Sequence, residues 1–217
     1  MNNRNILRLL EPKPACSFVD LGCHDGNWTL RVASALQASE IYGIDRDLGR
    51  GAIAATREVR FILADLNRPI PLSDECMDVV HANQVIEHLE DVDSFVGEIS
   101  RIIRPNGYAV ISTENLASID NILALVMGQQ PFSQHISRRK HIGNRFSPHY
   151  GKPMENQLSA HRTVLSYYGL TQLAEWHGLN IEAQVGAGYP PLPSKLAQVD
   201  PVHARFIAIK ARKSEGR

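Results

Sequence analysis

Short apolar runs separated by amphipathic segments fill the first half of the chain. Five such runs, at residues 17–21, 41–45, 61–65, 77–82 and 108–113, are almost continuously apolar. Parallel strands covered on both faces carry runs of this kind, whereas a half-exposed strand alternates apolar and polar positions. The pattern therefore predicts five strands of a parallel sheet.

Helical periodicity connects these strands. The segment after the fourth strand starts with Glu87 and His88 and places apolar residues at three- and four-residue steps from Val92 to Ile103. It stops at Pro105, which cannot continue a helix. Further helices are predicted at 28–39, 116–127 and 167–177, and two more strands at 181–186 and 204–210. These repeated units predict a doubly wound α/β sheet with right-handed crossovers.

The regular alternation breaks down between residues 114 and 162, a segment that we call the insert. Its second half is rich in His, Arg, Gly, Pro and Asn, and irregular segments of this length are typical of functional lids. The histidines and cations between residues 131 and 162 are His135, His141, His149, His161, Arg138, Arg139, Lys140, Arg145, Lys152 and Arg162. We expect this lid to receive an anionic or polyhydroxyl small molecule. The histidine spacings match no helix-borne metal pair, so no metal site is predicted.

Length and composition fit one globular domain. The chain has 217 residues, 43% of them hydrophobic, and its 23 Lys and Arg balance 23 Asp and Glu. A chain of this size can bury a sizeable core without disulfides, and its three cysteines form no CxxC pair. The overall charge is zero because the charges of the two parts of the chain cancel: residues 1–113 carry a net charge of −5 and residues 114–217 a net charge of +5.

The expected compartment and partners follow from features that the sequence lacks. No run is long enough to span a bilayer, and the first residues resemble no signal peptide. We therefore expect a cytoplasmic protein without stable membrane insertion. No basic patch interleaved with aromatic residues is present, so nucleic acid is not an expected partner. The oligomeric state is not predicted.

Acidic residues stand at the carboxyl ends of the first three strands, where ligands bind in open α/β sheets. They are Asp20, Asp45 and Asp65. A turn with Gly22 and Gly26 follows the first strand, and glycines there let the backbone approach a ligand closely. Asp45 is suited to accept hydrogen bonds from two ribose hydroxyls.

This ordered set resembles the class I S-adenosylmethionine-dependent methyltransferases, in particular the small-molecule branch with the type 11 domain. The similar segments are the glycine loop at 19–26, the second motif at 43–45, the adenine-side motif at 64–66, the fourth motif at 78–89 and the helix-to-strand turn at 101–107. The resemblance implies a Rossmann-like, mostly parallel seven-stranded sheet with an antiparallel C-terminal strand pair. It also implies S-adenosylmethionine as cofactor and S-adenosylhomocysteine as product.

The resemblance assigns cofactor contacts residue by residue. The methionine part of the cofactor would pass over the glycine loop, which Asp20 orients, and Asp45 would hold the ribose. The adenine would contact Arg46, Asp65 and the Leu66 amide. The stretch Asn83–Gln84 would line the floor of the site near the sulfonium. The implied cofactor residues are Asp20, Gly22, Cys23, Gly26, Asp45, Arg46, Asp65, Leu66, Asn83 and Gln84. The family's central glycine is replaced by His24, a residue type that tolerates positive φ better than most.

The expected organisation is a single domain, 1–217. Residues 1–113 would form the cofactor-binding half, residues 114–162 the inserted lid, and residues 163–217 the C-terminal helix and strand pair. Methyl transfer would proceed by in-line displacement, which depends above all on alignment. For a hydroxyl acceptor, His88, His161 and His81 are candidate general bases. Arg162, His161 and Arg145 are candidate acceptor-binding residues, because arginine can bind a carboxylate or phosphate through two hydrogen bonds.

Two alternatives remain open at this point. An NAD-dependent oxidoreductase shares the strand–turn–helix and the acid after the second strand, although Gly22 and Gly26 do not have the GxGxxG spacing. A non-catalytic binding module that retains the cofactor fold is the other alternative, and His24 in the glycine loop is the feature that suggests it.

Overall fold

A computed structural model describes residues 2–154 and 160–214, and in this part of the chain seven strands form one sheet. The strands are β1 Ser17–Leu21, β2 Glu40–Asp45, β3 Arg60–Leu63, β4 Met77–Asn83, β5 Ile103–Glu114, β6 Leu179–Ala187 and β7 Phe206–Lys213. The helices are α1 Asn2–Leu9, α2 Asn27–Leu36, α3 Leu48–Ala55, α4 Val92–Ile102, α5 Ile119–Val126 and α6 Tyr167–Trp176.

The strand order confirms the predicted sheet. It is β3-β2-β1-β4-β5-β7-β6. The first five strands pair in parallel, and β7 lies antiparallel between β5 and β6. The order reverses between β1 and β4, which is where ligands bind in sheets of this type.

Both faces of the sheet are covered by helices. Phe95 and Ile99 of α4 are buried in the core on one face, and Val32 and Leu36 of α2 are buried on the other. Complete burial of one such side chain contributes about 1.5–3 kcal/mol. The two-sided cover explains why the strands are apolar almost without interruption.

Three local features differ from the predicted elements. Helices α1 and α3 were not predicted; α3 contains two glycines in eight residues and is capped at its start by Asp47, which accepts a hydrogen bond from the Arg50 amide. Glu87 and His88 do not start α4 but lie in a separate 3-10 turn, and Asp91 caps α4 instead. The turn at 104–107 lies within β5 as an irregularity of its pairing with β4.

A partly exposed ion cluster links the start of β1 to β4. Asp78 accepts hydrogen bonds from Lys13 Nζ at 2.7 Å, from the Ser17 amide at 2.9 Å and from Arg104 at 2.9 Å. Burial alone would raise the pKa of this carboxyl, but the contacts with Lys13 and Ser17 outweigh it and lower the pKa to about 2. Asp78 is therefore ionised throughout the physiological pH range.

The insert returns to the body of the protein next to β4. After α5 it continues as irregular backbone up to residue 154, and residues 155–159 lie outside the described part of the chain. The backbone amide of Arg162 then donates to the carbonyl of Glu87 at 2.7 Å. The end of the insert is thereby held against the 3-10 turn that follows β4. Across the described residues, no helix has the length and apolar character needed to cross a membrane.

Candidate active site

A cavity of about 220 Å³ opens at the carboxyl ends of β1 to β4, and we call it the sheet-edge cavity. It is lined by Gly22, His24, Asp45, Arg46, Ala64, Asp65, Leu66, Gln84, Val85, His88 and Leu89. Seven of these were predicted as site residues, namely Gly22, Asp45, Arg46, Asp65, Leu66, Gln84 and His88. The structure thus gathers most of the predicted cofactor residues around one cavity.

The loop after β1 has a backbone that requires small or tolerant residues. Gly22 has φ +80°, and a Cβ atom at this position would lie 2.4 Å from Val85 Cγ2. His24 also lies in the left-handed region, with φ +52°. Its ring is exposed and contacts Arg50. The histidine that replaces the family's glycine therefore adopts the backbone conformation that a glycine would provide.

Asp45 closes the loop from the side of β2. Its Oδ2 accepts a hydrogen bond from the His24 amide at 2.9 Å, and its Oδ1 accepts one from the Asp47 amide at 3.0 Å. Each carboxylate oxygen has a second lone pair. The orientation of Asp45 is therefore fixed by the backbone while both oxygens keep acceptor capacity toward the cavity.

Asp65 lies in the loop just after β3. Hydrogen bonds from the backbone and side chain of Asn67 hold its Oδ1 at 3.0 and 2.9 Å. The backbone hydrogen bond from Asn67 lowers the pKa of Asp65. The carboxylate is thus an ionised acceptor at the cavity wall.

Four predicted cofactor residues do not line the cavity. Cys23 is buried against Gly43, and burial raises the pKa of its thiol to about 12. The thiol therefore stays protonated at neutral pH and is not a nucleophile. Gly26 caps the start of α2 with φ +77°. The Asn83 side chain accepts a hydrogen bond from Asn2 of α1 at 3.1 Å.

The fourth, Asp20, belongs to a buried network behind the glycine loop. It accepts a hydrogen bond from Thr29 Oγ1 at 2.6 Å and bonds to His81 Nδ1 at 2.6 Å. His81 is completely buried, and its Nε2 accepts a hydrogen bond from Trp28 at 3.5 Å. Because both ring nitrogens are engaged inside the protein, we do not retain His81 as a candidate base.

The other two candidate bases lie side by side. The ring centroids of His88 and His161 are 4.9 Å apart, and those of His161 and His135 are also 4.9 Å apart. Burial lowers the pKa of His88 to about 4, so its ring is neutral at pH 7 and is a weaker base than an exposed histidine. Three histidine rings therefore lead from the sheet-edge cavity into the insert.

A second cavity, of about 400 Å³, lies under the insert, and we call it the insert cavity. Leu123, Phe132 and Phe146 contribute apolar surface to it. Its polar and ionisable lining residues include Asp120, His135, His141, His149 and Arg205. His135 thus belongs both to the insert cavity and to the chain of rings that reaches the sheet-edge cavity.

The predicted acceptor-binding arginines occupy different surroundings. Arg162 forms an ion pair with Glu90. Arg145 is exposed, and its backbone amide donates to Gln129 Oε1 at 3.0 Å. Neither lines the insert cavity, whereas Arg205 does, 3.7 Å from Asp120 Oδ2. The sequence does not single out Arg205, because it lies within the predicted strand at 204–210, far along the chain from the insert.

Glu87 is a further residue that the sequence interpretation left outside the site. It has no exposed surface, and its Oε2 accepts a hydrogen bond from Thr113 at 2.8 Å. Burial raises the pKa of its carboxyl to about 7. Asp91, four residues later, occupies the N-cap position of α4. That aspartate is the sequence signal that Glu87 has some role other than capping the helix.

The fold and the sheet-edge cavity together define a class I methyltransferase architecture. Residues 19–111 match the family described as "Methyltransferase domain". The chain is 28% identical over 190 residues to a probable S-adenosylmethionine-dependent methyltransferase of Mycolicibacterium smegmatis, and the match covers 87% of this chain and 60% of that protein. It is 30% identical over 110 residues to trans-aconitate 2-methyltransferase of Azoarcus sp., covering 50% of this chain and 43% of that protein.

Among solved structures, an S-adenosylmethionine-dependent methyltransferase from Mesorhizobium loti superimposes with a TM-score of 0.65. It shares 17% sequence identity, and the match covers 97% of this chain and 96% of that chain. Together these findings confirm the resemblance seen in the sequence: residues 19–111 match the methyltransferase-domain family, the fold is the one that class I S-adenosylmethionine-dependent methyltransferases share, and the cofactor of that class is S-adenosylmethionine. The chain spans roughly half of the length of the curated relatives it matches.

Proposed function

We propose that the protein transfers a methyl group from S-adenosylmethionine to an anionic or polyhydroxyl small molecule by in-line displacement. The observation that carries this proposal is the link between the two cavities: His88 lines the sheet-edge cavity, His135 lines the insert cavity, and His161 contacts both rings. A cofactor in the first cavity and an acceptor entering from the second would meet at these histidines.

The cofactor would occupy the sheet-edge cavity in a defined direction. Asp45 would accept hydrogen bonds from the ribose, and Asp65 with the Leu66 amide would contact the adenine. The cavity of about 220 Å³ is smaller than the roughly 300–1,000 Å³ of most ligand pockets. It suits the adenosine end, and the methionine end would extend past Gly22 and Gln84.

The acceptor class is suggested by the groups that line the insert cavity. Asp120 Oδ1 is buried, and no described residue provides it with a hydrogen-bond partner. An acceptor hydroxyl could donate to it. Arg205 and the neighbouring histidines offer donors to a carboxylate or phosphate. The trans-aconitate methyltransferase named above is, by its name, a relative that acts on a small carboxylated acceptor.

The first experiment tests the cofactor. The purified chain is titrated with S-adenosylhomocysteine and, separately, with NADH by isothermal titration calorimetry. We expect S-adenosylhomocysteine to bind and NADH not to bind. Binding of NADH alone would favour the oxidoreductase alternative, and binding of neither ligand would contradict the proposal.

The second experiment tests the acceptor. S-adenosylmethionine with a labelled methyl group is incubated with the protein and with polycarboxylates, sugar phosphates, polyols or apolar amines. We expect label on an anionic or polyhydroxyl compound and a large rise in its KM for Arg205→Gln. Arg162→Ala serves as the comparison, because unchanged turnover there would remove Arg162 from the acceptor site. Cofactor binding without transfer to any compound, including those of a cell extract, would indicate a binding module.

A further inference from the structure

Glu87, His88 and His161 form a compact group of metal-ligating side chains between the two cavities. One carboxylate oxygen and one ring nitrogen from each histidine lie within 4.8 Å of one another. Within the described part of the chain, Glu87 Oε1 and His88 Nδ1 are buried and have no hydrogen-bond partner. A buried polar atom without a partner is costly, so these two atoms indicate a missing ligand.

The outer atoms of the same side chains are already held by the protein. His161 Nδ1 lies 2.7 Å from the carbonyl oxygen of Ser133. Because a carbonyl can only accept, this nitrogen carries the proton, and Nε2 of a neutral ring is left with its lone pair. Glu87 Oε2 accepts a hydrogen bond from Thr113. Nδ1 is the ring nitrogen of His88 that is buried without a hydrogen-bond partner among the described residues.

This division of roles is characteristic of metal sites. Histidines that bind metals almost always donate their other ring N–H to a carbonyl or carboxylate, which fixes the tautomer and the orientation of the ring. We propose that Glu87, His88 and His161 bind a divalent transition-metal ion. Two imidazoles and one carboxylate favour Zn²⁺, Fe²⁺, Co²⁺ or Mn²⁺ over Mg²⁺ and Ca²⁺, which prefer oxygen ligands.

Binding requires a small contraction of the group. Ligand bonds of about 2.0–2.2 Å place neighbouring donor atoms about 3 Å apart, whereas the present atoms are separated by as much as 4.8 Å. His161 lies at the end of the insert, next to the Arg162 amide that already donates to the Glu87 carbonyl. Metal binding would draw this end of the insert toward Glu87 without changing the backbone contact.

The chemical consequence rests on the proposed function. Three protein ligands leave coordination positions open beside the sheet-edge cavity, and a metal ion lowers the pKa of a bound hydroxyl. An acceptor hydroxyl on the ion would release its proton to solvent. Its oxygen would then bond to the methyl carbon while the carbon–sulfur bond breaks and its electron pair stays on sulfur. Acceptors with two neighbouring oxygens, such as vicinal diols or hydroxy acids, would chelate the ion best.

The test measures metal binding directly. The full chain is freed of metal with a chelator and titrated with Co²⁺, whose visible absorption reports imidazole and carboxylate ligands, and separately with Zn²⁺ and Mg²⁺ by calorimetry. We expect one equivalent of Co²⁺ or Zn²⁺ per chain and much weaker binding of Mg²⁺. No binding of Co²⁺ or Zn²⁺, or an affinity for Mg²⁺ equal to that for Zn²⁺, would overturn the proposal.

Variants locate the ion. Glu87→Gln keeps the shape of a fully buried side chain, and His161→Asn changes a partly exposed one, so at least the second is expected to fold. Each should weaken Co²⁺ binding by at least about tenfold, the loss that follows even from removing an outer partner of a ligand. His177→Asn, at the C-cap of α6 and paired with Asp93, is the matched control and should bind normally. Unchanged binding in the first two variants together with loss in His149→Asn would place the ion elsewhere in the insert and overturn the proposal.

Cofactor binding separates the two proposals. S-adenosylhomocysteine is titrated onto the metal-free chain and onto both variants. If it binds while Co²⁺ and Zn²⁺ do not, the metal site is wrong and methyl transfer stands. If metal binds as expected but S-adenosylhomocysteine does not, the metal site stands and the proposed function fails.

Discussion

Asp45→Asn tests the part of the proposed site with the best-defined geometry. Both carboxylate oxygens of Asp45 accept backbone hydrogen bonds, from His24 at 2.9 Å and from Asp47 at 3.0 Å. An asparagine keeps one acceptor oxygen and presents an NH₂ group where the other oxygen was. It can no longer accept from both ribose hydroxyls while also accepting from both amides. The variant therefore loses at least one charge-assisted hydrogen bond to the bound cofactor.

The size of the effect follows from that count. A hydrogen bond to a charged group contributes about 1.5–3 kcal/mol. Since each 1.4 kcal/mol is a factor of ten, the affinity for S-adenosylhomocysteine should fall by about 10- to 150-fold. Calorimetry on the folded variant measures the change, and the melting temperature shows whether the loop has also been loosened.

Asp47→Asn is the matched control for this experiment. Asp47 lies two residues away and caps α3 through the Arg50 amide, and asparagine caps helices about as well as aspartate. We expect its affinity to stay within about twofold of the wild type. If Asp45→Asn binds as tightly as the wild type, or if both variants weaken binding equally, then Asp45 does not hold the ribose.

Three further outcomes are expected. Asp78→Asn should lower the free energy of unfolding by about 2 kcal/mol at pH 7, because the folded-state pKa of about 2 lies below the usual 3.8. Urea denaturation of the variant and the wild type should show this difference in stability shrinking as the pH falls from about 4 toward 2. A difference that stays constant with pH would contradict a stabilising role of the ion cluster. Gly22→Ala should abolish cofactor binding in calorimetry, because the new Cβ would lie 2.4 Å from Val85 Cγ2. Gly128→Ala is the control: Gly128 also has a positive φ, +69°, but a Cβ there would meet no atom within 4 Å. We expect the control variant to bind the cofactor with unchanged affinity. His24→Gly should change the affinity for S-adenosylhomocysteine by less than about threefold, since the histidine already has φ +52°; binding that appears only in the glycine variant would show that His24 blocks the site.

The sheet could be predicted because its signals are local. Each strand is a short apolar run, and α4 carries its buried residues at helical spacing. The two unpredicted helices lack such signals. α1 has only two buried residues, and α3 has two glycines, so their helical state depends on packing against the body of the protein. Helices this short are marginal without tertiary contacts.

Site residues could be predicted from the sequence only where they lie at the carboxyl ends of predicted strands. Asp45, Asp65 and Gly22 lie at the ends of strands or within two residues of them, so the rule that ligands bind at carboxyl ends identifies them. The environment of Glu87 instead depends on partners distant in sequence, Thr113 and the backbone of Arg162. A glutamate next to a histidine has the same local appearance whether it is exposed or buried, and for this reason it was interpreted as part of a helix start.

The ionisable groups of the insert and its cavity lie in two different environments. The cations of its middle part are exposed, whereas the ionisable groups that line the insert cavity are histidines, Asp120 and Arg205. Exposed charges attract a ligand at long range but are screened by salt and confer little specificity. Groups inside a cavity act over hydrogen-bond distances and discriminate by geometry. Under the proposed function, the net charge of +5 on residues 114–217 would favour the approach of an anionic acceptor, while the choice among such acceptors would depend on Asp120, Arg205 and the histidine rings.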